Sequence, residues 1–177
     1  FNDKETESIQ ENNVDRNTKE RVFNNYQALT INPNSINFNL VKQKTKEVID
    51  IYLNYLNSTN FFSIDLGGML RYSHKYRILK YKEGSSINAH SDHTDYTYGS
   101  ISFNLNDDYE GGDFCFFNGK KKIKLGKGDA LIWPADYYWV HQVTPITKGA
   151  RYSTNSFLQS VSSKIPEKVL NPYSRKY

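Results

Sequence analysis

Between residues 76 and 158 the chain is a succession of short runs rich in aromatic and β-branched residues, each cut off by Gly, Asn, Asp or Pro. The runs cover residues 76–81, 98–105, 113–117, 121–125, 130–133, 138–143 and 151–158. Gly111-Gly112, Gly126-Lys127-Gly128-Asp129 and Pro145-Ile146-Thr147-Lys148-Gly149 are the turns between some of them. Many short strands with turn signals at close spacing predict a β-sandwich or barrel. Aromatic residues make up 15% of the chain, and they favour strands, which points the same way.

The segment before this region has a different period. Val41, Thr45, Val48, Ile49, Tyr52, Leu53 and Leu56 recur at helical spacing. They predict a helix of about five turns, capped by Asn39 and ending near Asn57-Ser58, with an apolar stripe that needs a sheet to cover. Asn32-Pro33-Asn34-Ser35 reads as a turn. Residues 1–20 are polar and acidic without an apolar period, so an arm or a marginal helix is expected. The whole reads as a single domain: a polar N-terminal arm at 1–20, a helical support region at 21–75, a β core at 76–160 and a C-terminal tail at 161–177.

Composition removes several classes. One cysteine, Cys115, excludes an internal disulfide and fits a reducing compartment. No apolar run approaches the ~20 residues of a membrane span, and no charged-then-apolar leader opens the chain. A cytoplasmic location is therefore expected, with the start at Phe1 leaving room for a trimmed N-terminus. The net charge of +4 is too modest to imply a nucleic-acid partner. Lys120, Lys121, Lys122, Lys124 and Lys127 form the one basic run, which reads as a solvated hairpin.

The residues that carry chemistry lie within the β region. His90-Ser91-Asp92-His93-Thr94-Asp95 holds two overlapping His-x-Asp pairs. In an extended segment residues i and i+2 project to one side, so either pair could reach one metal ion. A third ligand must come from another strand, and His141, inside an apolar run, is the best candidate. Two imidazoles and a carboxylate suit Fe(II) and leave coordination positions open. A hairpin centred on Ile146 would pair position 141 with position 151 and set Arg151 beside the metal strand. The Arg fork binds a carboxylate through two hydrogen bonds, and Ser153, at i+2, would add a third donor.

Tyr81, Gly84, His90 and Asp92 have the spacing of the 2-oxoglutarate and Fe(II)-dependent dioxygenases, in their prolyl 4-hydroxylase-like branch. The chain also resembles that branch in Leu105-Asn106, Gly111-Gly112-Asp113, Phe116, Gly128-Asp129 and the Val143-Thr144-Pro145 and Gly149 that follow His141. The spacing from Tyr81 selects His90 over His93. The resemblance implies a double-stranded β-helix (jelly-roll, cupin-like) core with flanking helices. It implies Fe(II) on His90, Asp92 and His141, and the distal carboxylate of 2-oxoglutarate on Arg151. It places Tyr81 and Ser153 in the cosubstrate pocket. O2 would be the oxidant, succinate and CO2 would be released, and ascorbate is a reductant such enzymes can use.

The chain departs from the branch in two places. Arg151 stands where collagen-type members carry Lys, and Asn104 stands where some relatives carry a cosubstrate-binding Tyr. By analogy the expected substrate is a prolyl residue in a peptide or protein, with Tyr96, Tyr98, Tyr137, Tyr138 and Trp139 available to line a groove. A free amino acid or other small molecule is the alternative substrate. A non-catalytic jelly-roll binding module is the alternative of a different class.

Overall fold

The computed structural model describes residues 7–9, 13–14, 21–22, 26–59, 66–94 and 96–160. Its elements, in chain order, are β1 (Glu7–Ile9), β2 (Asn13–Val14), β3 (Arg21–Val22), β4 (Tyr26–Thr30), α1 (Ile36–Ser58), α2 (Leu66–Met69) and β5 (Tyr72–Tyr81). There follow β6 (Ile87–His90), β7 (Thr97–Asn104), β8 (Glu110–Gly111), β9 (Phe114–Phe116), β10 (Lys121–Ile123), β11 (Ala130–Pro134), β12 (His141–Val143), β13 (Ile146–Lys148) and β14 (Arg151–Gln159). A large sheet has the order β1-β4-β5-β14-β7-β11, and a smaller one the order β10-β9-β12-β6. Every pairing is antiparallel. The two sheets enclose a double-stranded β-helix, the expected architecture.

Alternation along β7 shows why the large sheet has two different faces. Ile101 and Phe103 pack outward with Leu70 and Leu158 against Val48, Ile49, Tyr52 and Leu53 of α1. Their neighbours Ser100, Ser102 and Asn104 point the other way, toward the smaller sheet. The apolar stripe of α1 is thus covered by the large sheet, as its spacing requires. Inside the β-helix, apolar side chains gather at two places. Tyr26, Ala28, Leu79, Tyr81, Tyr109 and Ile146 form one cluster. Phe114, Phe116, Leu125, Trp133 and Val143 form the other.

The helix begins earlier than its apolar period suggests. The cap is Ser35, whose Oγ accepts from the Phe38 N–H at 3.1 Å, and not Asn39. The Asn32–Ser35 turn makes this start possible: Asn32 Oδ1 accepts from Asn34 N–H, and the Asn32 carbonyl accepts from Ser35 Oγ. Exposed Ile36 and Leu40 add turns that bury little, so they left no mark in the pattern.

Three further expectations need correction. The N-terminal arm contributes strand rather than helix: β1 pairs with β4, and β2 with β3. The support region is not purely helical, because β4 lies within it and pairs with β5 along its whole length. The run 138–143 is strand only from His141, because Asp136 turns the chain, accepting from Tyr138 N–H on its side chain and from Trp139 N–H on its carbonyl. The tail at 161–177 lies outside the described residues. No helix among the described residues is long and apolar enough to cross a membrane.

The exposed Lys120, Lys121, Lys122, Lys124 and Lys127 surround the β9–β10 hairpin, with Lys122 paired to Asp113 at 2.9 Å. Two stability predictions follow from the outer layer. Ile101→Ala, at a fully buried position under α1, should cost about 2–5 kcal/mol in urea unfolding. Ser35→Ala should cost about 1 kcal/mol by removing the cap. A small effect of Ile101→Ala would mean that α1 does not seal this face.

Candidate metal and carboxylate site

β6, β9 and β12 lie side by side, and their register brings three site residues together. His141 pairs with His90 on one side and with Phe116 on the other. His90 Nδ1 lies 2.7 Å from the Asn88 carbonyl, and His141 Nδ1 lies 3.0 Å from the Trp139 carbonyl. A carbonyl can only accept, so each Nδ1 carries a proton and each Nε2 is the ring atom left to ligate a metal. Both Nε2 atoms turn to Asp92. His90 Nε2 is 3.5 Å from Asp92 Oδ1, and His141 Nε2 is 3.6 Å from Asp92 Oδ2. Ligand atoms of the three residues all lie within 4.8 Å of one another, and this is the one such cluster of three among the described residues.

Asp92 reaches this point from a loop. β6 ends at His90, so the i, i+2 argument from an extended segment holds only to there. Beyond it Ser91 Oγ bonds the Asp136 carbonyl at 3.0 Å, and Ser100 Oγ donates to Asp92 Oδ2 at 2.6 Å from across the interior. Burial works to raise the Asp92 carboxyl. Hydrogen bonding from His90, the nearby His141 and the Ser100 hydroxyl outweigh it and hold the group below the ordinary carboxylate value. The site therefore presents an ionised carboxylate with two imidazole Nε2 atoms turned to it. His141 is only 4% exposed and is walled by Phe116 and Trp133, with ring centroids at 5.5 and 5.0 Å. His93 is exposed, and Asp95, its partner in the second His-x-Asp pair, lies outside the described residues.

Arg151 is on the opposite sheet. The expected hairpin does not form: Arg151 pairs with Tyr81 of β5, and Ile146 to Lys148 form β13, which pairs with β8. Pro145 has no N–H to continue a hairpin ladder, Thr144 N–H bonds the Asp113 carbonyl, and Ile146 N–H bonds the Ser85 carbonyl. The chain thus leaves the small sheet at Val143 and enters the large one at Arg151, and the two residues face one interior from opposite walls.

The Arg151 guanidinium is 1% exposed and sits over the rings of Tyr81 and Phe114, at 5.2 and 5.1 Å from their centroids. Its Nε donates to Asn104 Oδ1 at 3.0 Å. Asn104 is held in turn by Tyr109 Oη and by the Asn106 and Leu125 carbonyls. Gly112, at φ 69°, leaves room for the Arg151 stem: a Cβ there would come within 3.1 Å of Arg151 Cδ. Nη1 and Nη2 of Arg151 and Oγ of Ser153 are buried without a hydrogen-bond partner among the described residues. Two charged donor groups with no protein acceptor fit a bidentate carboxylate.

Tyr81, His90, Asp92, His141 and Phe114 line one cavity, which stops short of Arg151 behind the two rings. Sequence reasoning missed Ser100 as the Asp92 partner and Asn104 as the Arg151 partner. Their signal was the polar alternation Ser100, Ser102, Asn104 along an otherwise apolar strand.

Residues 76–159 match the family model of the 2OG-Fe(II) oxygenase superfamily. The chain is 33% identical over 92 residues to a PKHD-type hydroxylase of Idiomarina loihiensis, covering 48% of this chain and 41% of the relative. It is 30% identical over 102 residues to a PKHD-type hydroxylase of Rhizorhabdus wittichii, covering 56% of this chain and 42% of the relative. The chain thus spans about two fifths of the length of these curated relatives. Among solved structures, its fold is similar to a prolyl hydroxylase of Trichoplax adhaerens in complex with a hypoxia inducible factor oxygen degradation domain peptide fragment. The TM-score is 0.65 at 16% identity, over 97% of this chain and 75% of that one. A Pseudomonas putida prolyl-4-hydroxylase gives 0.58 at 18% identity, over 78% and 73%. Residues 76–159, which carry both the His90–Asp92–His141 cluster and Arg151, thus match the 2OG-Fe(II) oxygenase superfamily, and in fold the chain resembles the prolyl hydroxylases.

Proposed function

We propose that this protein is a 2-oxoglutarate- and Fe(II)-dependent dioxygenase that hydroxylates an unactivated C–H bond, with a prolyl residue of a peptide or protein as the substrate. The observation that carries the reading is the convergence of His90, Asp92 and His141 on one point, opposite a buried guanidinium with two unpartnered nitrogens. Two imidazoles and a carboxylate suit Fe(II), and Arg151 suits the distal carboxylate of 2-oxoglutarate. The prolyl assignment rests on the likeness to solved prolyl hydroxylases.

When bound, Fe(II) and 2-oxoglutarate supply the oxidising chemistry with O2, giving succinate, CO2 and a hydroxylated carbon. The chain's own residues hold and shield these partners. Asn104 fixes Arg151 Nε, so the Nη groups keep one direction. The rings of Tyr81 and Phe114 hold the guanidinium plane from its two neighbouring walls. Ser153 offers a hydroxyl on the same side as Arg151. Ser100 orients Asp92, and Phe116 and Trp133 keep water from His141.

The test is succinate formation from 2-oxoglutarate on added Fe(II), in the presence of Pro-rich peptide or free proline. Stimulation by the peptide supports the prolyl-peptide substrate, and stimulation by free proline alone supports a small-molecule hydroxylase. His141→Ala should abolish Fe(II) binding in an anaerobic titration and abolish succinate formation, while circular dichroism stays unchanged. Arg151→Met should keep Fe(II) and raise half-saturating 2-oxoglutarate by about a hundredfold, a loss of about 3 kcal/mol for one buried charged pair. Asn104→Leu, which strands the Arg151 Nε, should lose about 1–3 kcal/mol of stability, with Asn104→Asp losing less because it keeps an acceptor. Full 2-oxoglutarate affinity in Arg151→Met would contradict the assignment.

A further inference from the structure

An arginine other than Arg151 lines the cavity of the metal cluster. Arg77, on β5, is half-buried and shares that cavity with His90, Asp92 and His141. Its Nε is buried without a hydrogen-bond partner, and no carboxylate pairs with it, among the described residues. Asp92, the one acid in the cavity lining, is already engaged by Ser100, His90 and His141.

A polar atom beside Arg77 is unsatisfied as well. Asn155 is its cross-strand partner on β14 and lines the same cavity, and Asn155 Oδ1 is buried without a partner among the described residues. The β5–β14 register slips between Asn155 and Phe157, and Lys75, opposite the slip, has a φ of 56°. A non-glycine residue in the left-handed region at a bulge is a local strain that re-aims side chains. Here the bulge leaves the Arg77 guanidinium and the Lys75 ammonium both 5.9 Å from the centre of the Phe157 ring. Arg77 and the Asn155 carboxamide thus line one end of the cavity, and the exposed Lys75 reaches the same Phe157 ring, with no carboxylate paired to either cation among the described residues. This end is distinct from the Arg151 end: Arg77 lies four residues from Tyr81, the cross-strand partner of Arg151.

We propose that Arg77, supported by Asn155 and Lys75, anchors a carboxylate carried by the substrate. The carboxylate belongs either to a free amino acid or to the C-terminus of a peptide. This deepens the dioxygenase reading and rests on it: the reacting carbon would lie within reach of a carboxylate held at Phe157, so a prolyl residue in mid-chain would leave Arg77 unpaired.

The test uses the anaerobic Fe(II)- and 2-oxoglutarate-loaded protein and calorimetric titration with three matched pairs: L-proline, N-acetyl-L-proline and the tripeptide Ala-Ala-Pro, each against its amide. In the wild type at least one carboxylate should bind more tightly than its amide by about tenfold, the worth of a charged hydrogen bond. Arg77→Gln should cut that preference to about twofold or less, and Arg77→Lys should restore part of it. Preference for L-proline identifies a free amino acid as the source, and preference for the tripeptide a chain terminus. Equal binding within every pair, or no carboxylate binding at millimolar concentration, overturns the proposal. So does loss of 2-oxoglutarate binding in both Arg77 variants, which would give the residue to the cosubstrate. If the wild type does not bind 2-oxoglutarate at all, the dioxygenase reading fails and this inference with it; if it does and the pairs are equal, this inference alone fails.

Discussion

The strands of the large sheet must serve two faces at once, and the rest of the molecule depends on that constraint. Outward residues such as Ile101 and Leu158 are wholly buried under α1 and its neighbours. Inward residues on the same strands are polar: Ser100, Ser102 and Asn104 on β7, and Arg151, Ser153 and Asn155 on β14. A folding chain gains from burying the first set and loses from burying the second unless each group finds a partner. Part of the second set is satisfied within the protein, as Ser100 is by Asp92 and Asn104 by Arg151. The guanidinium ends of Arg151 and the hydroxyl of Ser153 have no partner among the described residues. Buried polar groups without partners are uncommon in folded proteins, and here they share one interior with the metal-type cluster.

The opposing wall gives this polarity a direction. On the small sheet, backbone carbonyls fix both histidines by their Nδ1 atoms, so the two Nε2 atoms are oriented before any ion arrives. The aromatic walls of Phe116 and Trp133 lower the local dielectric around His141 and strengthen any charge interaction there. The cluster and Arg151 are carried by different sheets, so their separation is set by the packing of the core between them. Tyr81 and Phe114 contribute to that packing and touch the guanidinium as well.

Much of this was legible in the sequence where the signal was a local spacing or an alternation. His90-x-Asp92, the apolar run ending in His141, the Gly turns and the period of α1 all act over a few residues. What the sequence concealed depends on contacts between distant elements. The hairpin expected to join His141 to Arg151 is replaced by a crossing between sheets, which Pro145 and the Ser85 carbonyl enforce. β4 is five residues long and sits between polar segments, so its place beside β5 is set by tertiary pairing rather than by its own pattern. Arg77 carries no local signal, and its position follows from the bulge at Lys75 and the neighbouring Asn155.

The central proposal is that His90, Asp92 and His141 would hold Fe(II) and that Arg151 would hold the distal carboxylate of 2-oxoglutarate. The most direct measurement is the visible absorption of the anaerobic Fe(II)-loaded protein before and after 2-oxoglutarate is added. A metal-to-ligand charge-transfer band should appear in the wild type, saturate at one equivalent per chain, and require far more 2-oxoglutarate in Arg151→Met. Folded, Fe(II)-loaded protein that shows no band would contradict the account and leave the β-helix as a binding module.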